Sequence, residues 1–245
     1  MKKIERSYYE NGQIKIECYF KNNSYHRNDG PAIIGYYQNG NKKVEYWYEN
    51  GLPHRQDKPA TIAYFANKQI EKEAYYLNGI LHRLNGPALI WYYNNGNKLS
   101  ESWYYHGKNH RINGPAITLY YLNGNKENES WCYYGENHRT NGPAIIYYYK
   151  NGSIEDETWY TSNMLHREGG PALIRYDKNG NILEEKYYFN NIKITDEFQI
   201  EVLKSNNIIP IMFQSTSLAY EKNLNNINFQ HGNGCIDFAF IVKDN

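Results

Sequence analysis

The sequence predicts an all-β protein, built as an elongated, twisted antiparallel sheet of about seven stacked β-hairpin repeats. Three observations lead to this prediction. A His-Arg pair recurs every 28 residues, the runs between the pairs are rich in Ile, Tyr and Trp, and Asn-Gly dipeptides divide these runs. Asn-Gly between apolar runs is the strongest short hairpin signal, because both residues tolerate a positive φ angle. Helical units would show a period of about 3.6 residues, which is absent.

Further columns keep the same 28-residue spacing. Gly-Pro-Ala begins three residues after each arginine, except that Lys58 replaces the glycine in the second copy. Because Arg matches a carboxylate as a planar fork, we predict a structural ladder in which each glutamate pairs with an Arg or His of the neighbouring repeat. The ladder columns are His26, Arg27, His54, Arg55, His82, Arg83, His110, Arg111, His138, Arg139, His166 and Arg167, with Glu17, Glu45, Glu73, Glu101, Glu129, Glu157 and Glu185.

Within one repeat, the residues from Ala32 to Tyr48 are predicted to form a hairpin around a two-residue loop at Asn39-Gly40. The repeat would then hold two strands and two turns. In this register the recurring residues share one face, which should be the packed one. The expected pairs are Tyr36 with Lys43, Ile34 with Glu45, and Ala32 with Trp47.

The opposite face changes from repeat to repeat, and repeat proteins place variable side chains on a fixed scaffold to recognise partners. Tyr and Trp are frequent interface anchors. The middle repeats carry several of them at variable positions. The candidate partner-binding residues are therefore Trp91, Tyr93, Tyr121, Tyr147 and Tyr149.

Composition and charge limit the function classes. The 245 residues include 27 Lys and Arg against 26 Asp and Glu, a formal charge of +1. A dedicated nucleic-acid binder usually has a strong basic excess. The three cysteines are far apart and form no disulfide framework or Cys-x-x-Cys metal pair, which favours a reducing compartment. Charged residues interrupt any signal-peptide core, and no apolar stretch would span a membrane, so the predicted location is cytoplasmic.

Catalysis, a cofactor and a metal are not predicted. Successive histidines should lie about 10 Å apart, because each repeat contributes two strands at about 4.8 Å. One zinc ion needs all its ligand atoms at about 2 Å, so neighbouring repeats cannot share it. Ser162 and His166 could be drawn into a triad with Glu157, but no Gly-x-Ser-x-Gly motif surrounds the serine. Gly232-Asn233-Gly234 is not a phosphate-binding loop.

The pattern Tyr36-Tyr37-Gln38-Asn39-Gly40 through Tyr48-Glu49-Asn50-Gly51 resembles MORN repeats, and most closely the variant in YwqK-type antitoxin-like proteins. The resemblance covers about four-fifths of the chain. It implies stacked hairpins that act as an interaction or scaffold module. The 28-residue step and the His-Arg-x-x-Gly-Pro-Ala motif depart from the usual repeat of about 23 residues and resemble arrays encoded by giant DNA viruses, which implies a viral protein in the host cytoplasm.

The repeat pattern ends near residue 192, so the chain is divided into tandem repeats over 1–192 and a small mixed α/β cap or accessory element over 193–245. In this element Thr195-Asp196-Glu197 opens a helical pattern, and residues 208–213 and 235–242 are predicted as strands. Two functions remain open. The first is a non-enzymatic scaffold for a protein partner, with antitoxin-like inhibition as a special case. The second is peripheral binding of acidic membrane or nucleic acid through the His-Arg stripe.

Overall fold

The computed structural model describes residues 2–204, and nearly all of its secondary structure is β-strand, which confirms the predicted all-β repeat sheet. One helix, α1 (Glu197–Lys204), follows the strands. The strands are β1 Lys2–Tyr8, β2 Ile14–Lys21, β3 Ser24–Tyr25, β4 Ile33–Tyr36, β5 Lys42–Tyr46, β6 Tyr48–Glu49, β7 Leu52–Pro53, β8 Thr61–Tyr64, β9 Ile70–Ala74, β10 Tyr76–Leu77, β11 Ile80–Leu81, β12 Leu89–Tyr92, β13 Lys98–Ser102, β14 Tyr104–Tyr105, β15 Lys108–Asn109, β16 Ile117–Tyr120, β17 Lys126–Ser130, β18 Cys132–Tyr133, β19 Glu136–Asn137, β20 Ile145–Tyr148, β21 Ile154–Thr158, β22 Tyr160–Thr161, β23 Met164–Leu165, β24 Leu173–Tyr176, β25 Ile182–Phe189 and β26 Ile192–Ile194.

Each repeat contributes one long hairpin to a single antiparallel sheet. The order of this sheet is β1-β2-β4-β5-β8-β9-β12-β13-β16-β17-β20-β21-β24-β25-β26, and β3 pairs with β2. Five further pairs form separate two-stranded hairpins: β6-β7, β10-β11, β14-β15, β18-β19 and β22-β23. The prediction of two strands per repeat is therefore wrong. A typical repeat has four strands, because its second turn closes a small hairpin of its own.

The two turns of a repeat have different geometries. In the small hairpin, Asn50 and Gly51 both have positive φ, 50° and 82°, and join the directly paired Glu49 and Leu52. This is the two-residue loop that the sequence predicts for Asn39-Gly40.

The long hairpin instead has a three-residue loop, Gln38 to Gly40. The N–H of Tyr37 donates to the carbonyl of Asn41 at 2.8 Å, and that of Gly40 donates back to Tyr37 at 2.9 Å. Only Gly40 in this loop has a positive φ. The Oδ1 of Asn39 accepts from the N–H of Asn41 at 3.0 Å, which fixes the asparagine as an Asx turn.

A β-bulge next to this loop shifts the register by one residue. Lys43 is the extra residue, so Tyr36 lies opposite Lys42, and the predicted Tyr36–Lys43 pair is wrong. The predicted pair of Ile34 with Glu45 is confirmed. The pair of Ala32 with Trp47 is also wrong, since the N–H of Ala32 donates to Tyr46 and that of Trp47 donates to Ala60 of the next repeat.

The strands have two distinct faces. We call the side that carries Ile34, Glu45 and their 28-residue equivalents the fixed face, and the side that carries Gly35, Val44 and their equivalents the variable face. The core is thin: the alanine of every Gly-Pro-Ala or Lys-Pro-Ala motif is fully buried, and among the described residues no large side chain is. Because so little apolar surface is fully buried, hydrogen bonds and ring contacts hold neighbouring repeats together.

Helix α1 belongs to a second unit of the chain. The N–H of Gln199 donates to Oδ1 of Asp196 at 2.9 Å, so Asp196 is the N-cap and the predicted helix start is confirmed. The predicted strands over 208–213 and 235–242, and with them most of the predicted cap, lie outside the described residues. Within 2–204, α1 is too short to reach across a bilayer.

Candidate binding surfaces

Each arginine of the His-Arg pairs lies between an aromatic ring and the start of the next Gly-Pro-Ala or Lys-Pro-Ala motif. Its Cζ is 3.8–4.0 Å from the centroid of a Tyr or Trp ring in all six repeats. In five of them Nη1 donates to the proline carbonyl four residues later, as from Arg83 to Pro87 at 3.1 Å. A Cβ on Gly86 would come within 2.8 Å of the Cζ of Arg83. The glycine therefore recurs because the guanidinium lies against its backbone.

The histidines hold the small hairpins. In every repeat the Nδ1 of the histidine accepts from a backbone N–H 24 residues later, at 3.1–3.4 Å. The donor is the first residue of the next small-hairpin turn, such as Asn50 for His26. Over the described range, no group of three or more His, Cys, Asp or Glu side chains could hold a metal ion.

Five column glutamates accept from tyrosines and none of these five from an arginine or histidine of the His-Arg pairs, so the predicted Glu–Arg or Glu–His partnership is wrong for them. Glu17 does accept from an arginine, Arg6 at 2.7 Å, which lies outside the His-Arg pairs. The hydroxyl of the tyrosine 19 residues later donates to Oε2 of the glutamate at 2.7–2.9 Å in five repeats. Three glutamates also accept from the lysine three residues earlier, as Glu101 does from Lys98 at 2.5 Å. The bulge explains why lysine is the partner, because it puts that lysine on the same face as the glutamate. The arginine is stacked on a Tyr or Trp ring and does not bond the glutamate.

Burial and these bonds shift the pKa values of Tyr176 and Glu101. Burial, followed by the hydrogen bond to Glu157, raises the pKa of Tyr176 to about 12. Burial raises the pKa of Glu101, but the hydrogen bonds from Lys98 and Tyr120 outweigh it, and the net pKa is lowered. The lowered pKa favours the carboxylate form of Glu101.

The five predicted partner-binding residues fall into two groups. Tyr93, Tyr121 and Tyr149 flank the loops of the long hairpins, and their hydroxyls donate to carbonyls 27 residues later at 2.7–2.9 Å. Their hydroxyls therefore join neighbouring repeats. Trp91 and Tyr147 stand within strands on the variable face, and Tyr147 is 46% exposed.

Trp91 and Tyr147 belong to one row of directly paired residues that crosses the variable face. We call it the variable row. Lys72 Nζ lies 4.6 Å from the Trp91 ring centroid, and Arg175 pairs with Asp156 at 3.1 Å. Large apolar residues alternate with polar ones in the middle of the row, and three charged residues, Asp156, Arg175 and Glu184, follow one another at one end. Its members are Ser7, Ile16, Gly35, Val44, Ala63, Lys72, Trp91, Ser100, Leu119, Asn128, Tyr147, Asp156, Arg175 and Glu184.

A second surface lies between successive His-Arg loops and was missed by the sequence analysis. One groove, of about 640 Å³, separates the loops at Arg55 and Arg83, and another, of about 500 Å³, separates those at Arg83 and Arg111. Leu84 and Ile112 project there and are 70% and 81% exposed. The signal was the position after each arginine, which is polar in the other repeats: Asn28, Gln56, Thr140 and Glu168.

Comparisons with known proteins add little to this geometry. No family model matches the chain, and no curated protein matches it. Among solved structures it is similar to alternansucrase in complex with isomaltononaose, at 14% identity and a TM-score of 0.19. The match covers 80% of this chain and 16% of the alternansucrase chain. A TM-score this low carries no argument about fold or function.

Proposed function

We propose that the protein is a non-enzymatic repeat scaffold that binds a protein partner through the variable row. One observation carries the proposal: the recurring side chains bond one repeat to the next, whereas the variable row changes its chemistry at each step. A surface that varies on a constant framework is what repeat proteins use for recognition. The MORN-like identity of the repeat, an origin in a giant virus and a cytoplasmic location remain predictions from the sequence.

The middle of the row has the composition of an interface centre. Trp91, Leu119 and Tyr147 occupy equivalent positions in three successive repeats, with Ser100 and Asn128 paired between them. Four strand spacings of about 4.8 Å put Trp91 and Tyr147 about 19 Å apart. Large aromatic anchors with polar surroundings are typical of the centre of a protein–protein interface.

Binding of acidic membrane or nucleic acid through the His-Arg stripe has less support. A phosphate would need guanidinium groups that are available as forks. In this protein one face of each guanidinium lies on a ring, and in five of the repeats Nη1 donates to a backbone carbonyl. The histidine Nδ1 atoms are also occupied by backbone N–H groups.

The test compares proteins that co-purify with tagged wild type and with the triple variant Trp91→Ala, Leu119→Ala, Tyr147→Ala. Alanine already stands in this column at Ala63, so the sheet accepts it. We expect one protein to be retained by the wild type at moderate and at high salt and lost from the variant. The matched control is Leu122→Asn. Leu122 is exposed at a loop tip, and the equivalent position in the preceding repeat, Asn94, already carries asparagine.

Two outcomes would count against the proposal. Retention of the same partner by the triple variant would remove the variable row from the interface. Recovery of nucleic acid or lipid that is released at high salt would favour the His-Arg stripe, because phosphate contacts weaken steeply with salt.

A further inference from the structure

The two grooves between the His-Arg loops form one periodic track. They are adjacent and share Arg83 and Leu84 as a common wall. Each groove has a pair of aromatic residues in its lining, Tyr75 and Tyr76 in the first and their equivalents Trp103 and Tyr104 in the second. The track therefore presents the same aromatic slot twice, one repeat apart, with an exposed aliphatic side chain beside each slot.

The step of this track selects among ligands. Two strands of about 4.8 Å advance the array by about 9.6 Å per repeat. A polyproline II helix has three residues per turn and rises about 3.1 Å per residue, so one turn advances about 9.3 Å. An extended β-strand repeats its side-chain direction about every 6.6 Å, which does not match the spacing of about 9.6 Å between the two grooves.

The lining of the grooves also fits this ligand. Polyproline II segments are recognised in grooves walled by aromatic side chains, where the stiff ligand loses little entropy on binding. Leu84 and Ile112, 70% and 81% exposed, offer apolar contact to proline rings. Three arginines and one aspartate, Asp57, line the two grooves. Each guanidinium is already stacked and bonded within its own repeat, so it is the net positive charge of the track, and not a free guanidinium fork, that favours a ligand with acidic residues.

We propose that the His-Arg track binds a proline-rich, acidic segment of a partner protein in the polyproline II conformation, with one turn of the ligand in each groove. This surface is distinct from the variable row and is tested with a different ligand. The proposal can therefore fail while the variable-row interaction stands, and the reverse also holds.

The test measures binding of fluorescein-labelled (Pro-Pro-Glu)4 to the full chain by fluorescence anisotropy. (Gly-Gly-Glu)4 has the same charge without the stiff helix. (Pro-Pro-Glu-Gly)4 adds a residue after every Pro-Pro-Glu unit, so that successive units no longer match the step of the grooves. We expect (Pro-Pro-Glu)4 to bind about tenfold more tightly than either control, because preorganisation and phase both favour it.

The matched variant is Leu84→Gln with Ile112→Thr, which installs the residues that the chain carries at Gln56 and Thr140. It should keep the thermal midpoint of the wild type and lose about tenfold in affinity for (Pro-Pro-Glu)4. Leu122→Asn should bind as the wild type does.

Several results would overturn the proposal. They are equal binding of the proline and glycine peptides, no binding of (Pro-Pro-Glu)4, full affinity of the out-of-step peptide, and full affinity of the double variant. Binding of a linear glucan oligosaccharide in place of the peptide, lost in the double variant, would assign the aromatic slots to sugar instead.

Discussion

We predict that replacing an arginine of the His-Arg pairs lowers the free energy of unfolding substantially, because its guanidinium packs between an aromatic ring and a glycine. Arg139 is suited to the test because it lies outside the His-Arg track. Its Cζ is 3.9 Å from the centroid of the Trp131 ring, and its Nη1 donates to the carbonyl of Pro143 at 3.1 Å. Arg139→Met removes the charge and the donor but keeps an unbranched stem that can still cover the ring.

The expected cost is the sum of two interactions. A cation–π contact that is partly shielded from water contributes about 1 kcal/mol. A charged donor to a half-buried carbonyl contributes about 1 kcal/mol more, at the low end of the usual range because water can reach the freed carbonyl. The loss of about 2 kcal/mol should lower the thermal midpoint by about 4–8 °C for a chain of this size.

Urea and thermal unfolding of four proteins would measure the effect. They are the wild type, Arg139→Met, Trp131→Leu and the double variant, and the coupling energy of the cycle should be about 1 kcal/mol. The control is Arg175→Met, whose arginine pairs with carboxylates on the exposed variable face. It should cost clearly less than Arg139→Met, because exposed ion pairs contribute little to stability. A coupling energy near zero, or equal costs for Arg139→Met and Arg175→Met, would refute the reasoning.

Three further predictions follow from contacts between and within repeats. Tyr120→Phe removes the hydroxyl that donates to a half-buried carboxylate and should lower the free energy of unfolding by about 1–2 kcal/mol in urea titrations. Gly114→Ala should cost at least about 1 kcal/mol more than Gly86→Ala, because both new Cβ atoms would approach an arginine Cζ to 2.8 Å but only Gly114 has a positive φ, 144°. Burial, followed by the charge of His106, lowers the pKa of His82 from its ordinary value. The folded state therefore takes up the proton less readily than the unfolded state, so stability is lost as pH falls below about 6.5. His106→Asn should reduce the drop in thermal midpoint between pH 7 and pH 5.

Each of these has a result that would contradict it. Tyr147→Phe, on the exposed variable face, should change the free energy of unfolding by less than about 0.5 kcal/mol, and an equal loss there would show that the tyrosine–glutamate bond adds nothing. Equal costs for the two glycine variants would remove the backbone argument. A thermal midpoint that stays flat or rises from pH 7 to pH 5 would show that the fold does not disfavour the protonated form of His82.

The repeat itself could be predicted from the sequence because its period is strict. Asn-Gly dipeptides between apolar runs place the hairpins, and Ile34 and Glu45 pair as the pattern indicates. The helix start could also be predicted, since Asp196 is a residue type that accepts from a backbone N–H at an N-cap. These signals are local in the sequence.

The hydrogen-bond partners of the column glutamates could not be predicted, because they depend on the one extra residue at the β-bulge. Asn39-Gly40 is compatible with a two-residue or a three-residue loop, and the sequence does not show which hydrogen bonds close it. The bulge at Lys43 then moves Lys42 onto the fixed face beside Glu45. Leu84 and Ile112 escaped notice for another reason: a loop residue gains significance only when the fold shows a groove beside it.

The short reach of the bonds between repeats bears on how the chain is made. The side-chain bonds of the columns span 19, 24 or 27 residues, so each repeat is completed by the segment synthesised directly after it. Folding with such local contacts is fast and can propagate from one unit to the next. We expect the repeats to fold co-translationally, one 28-residue unit after another, because each forms its bonds with the unit synthesised directly after it.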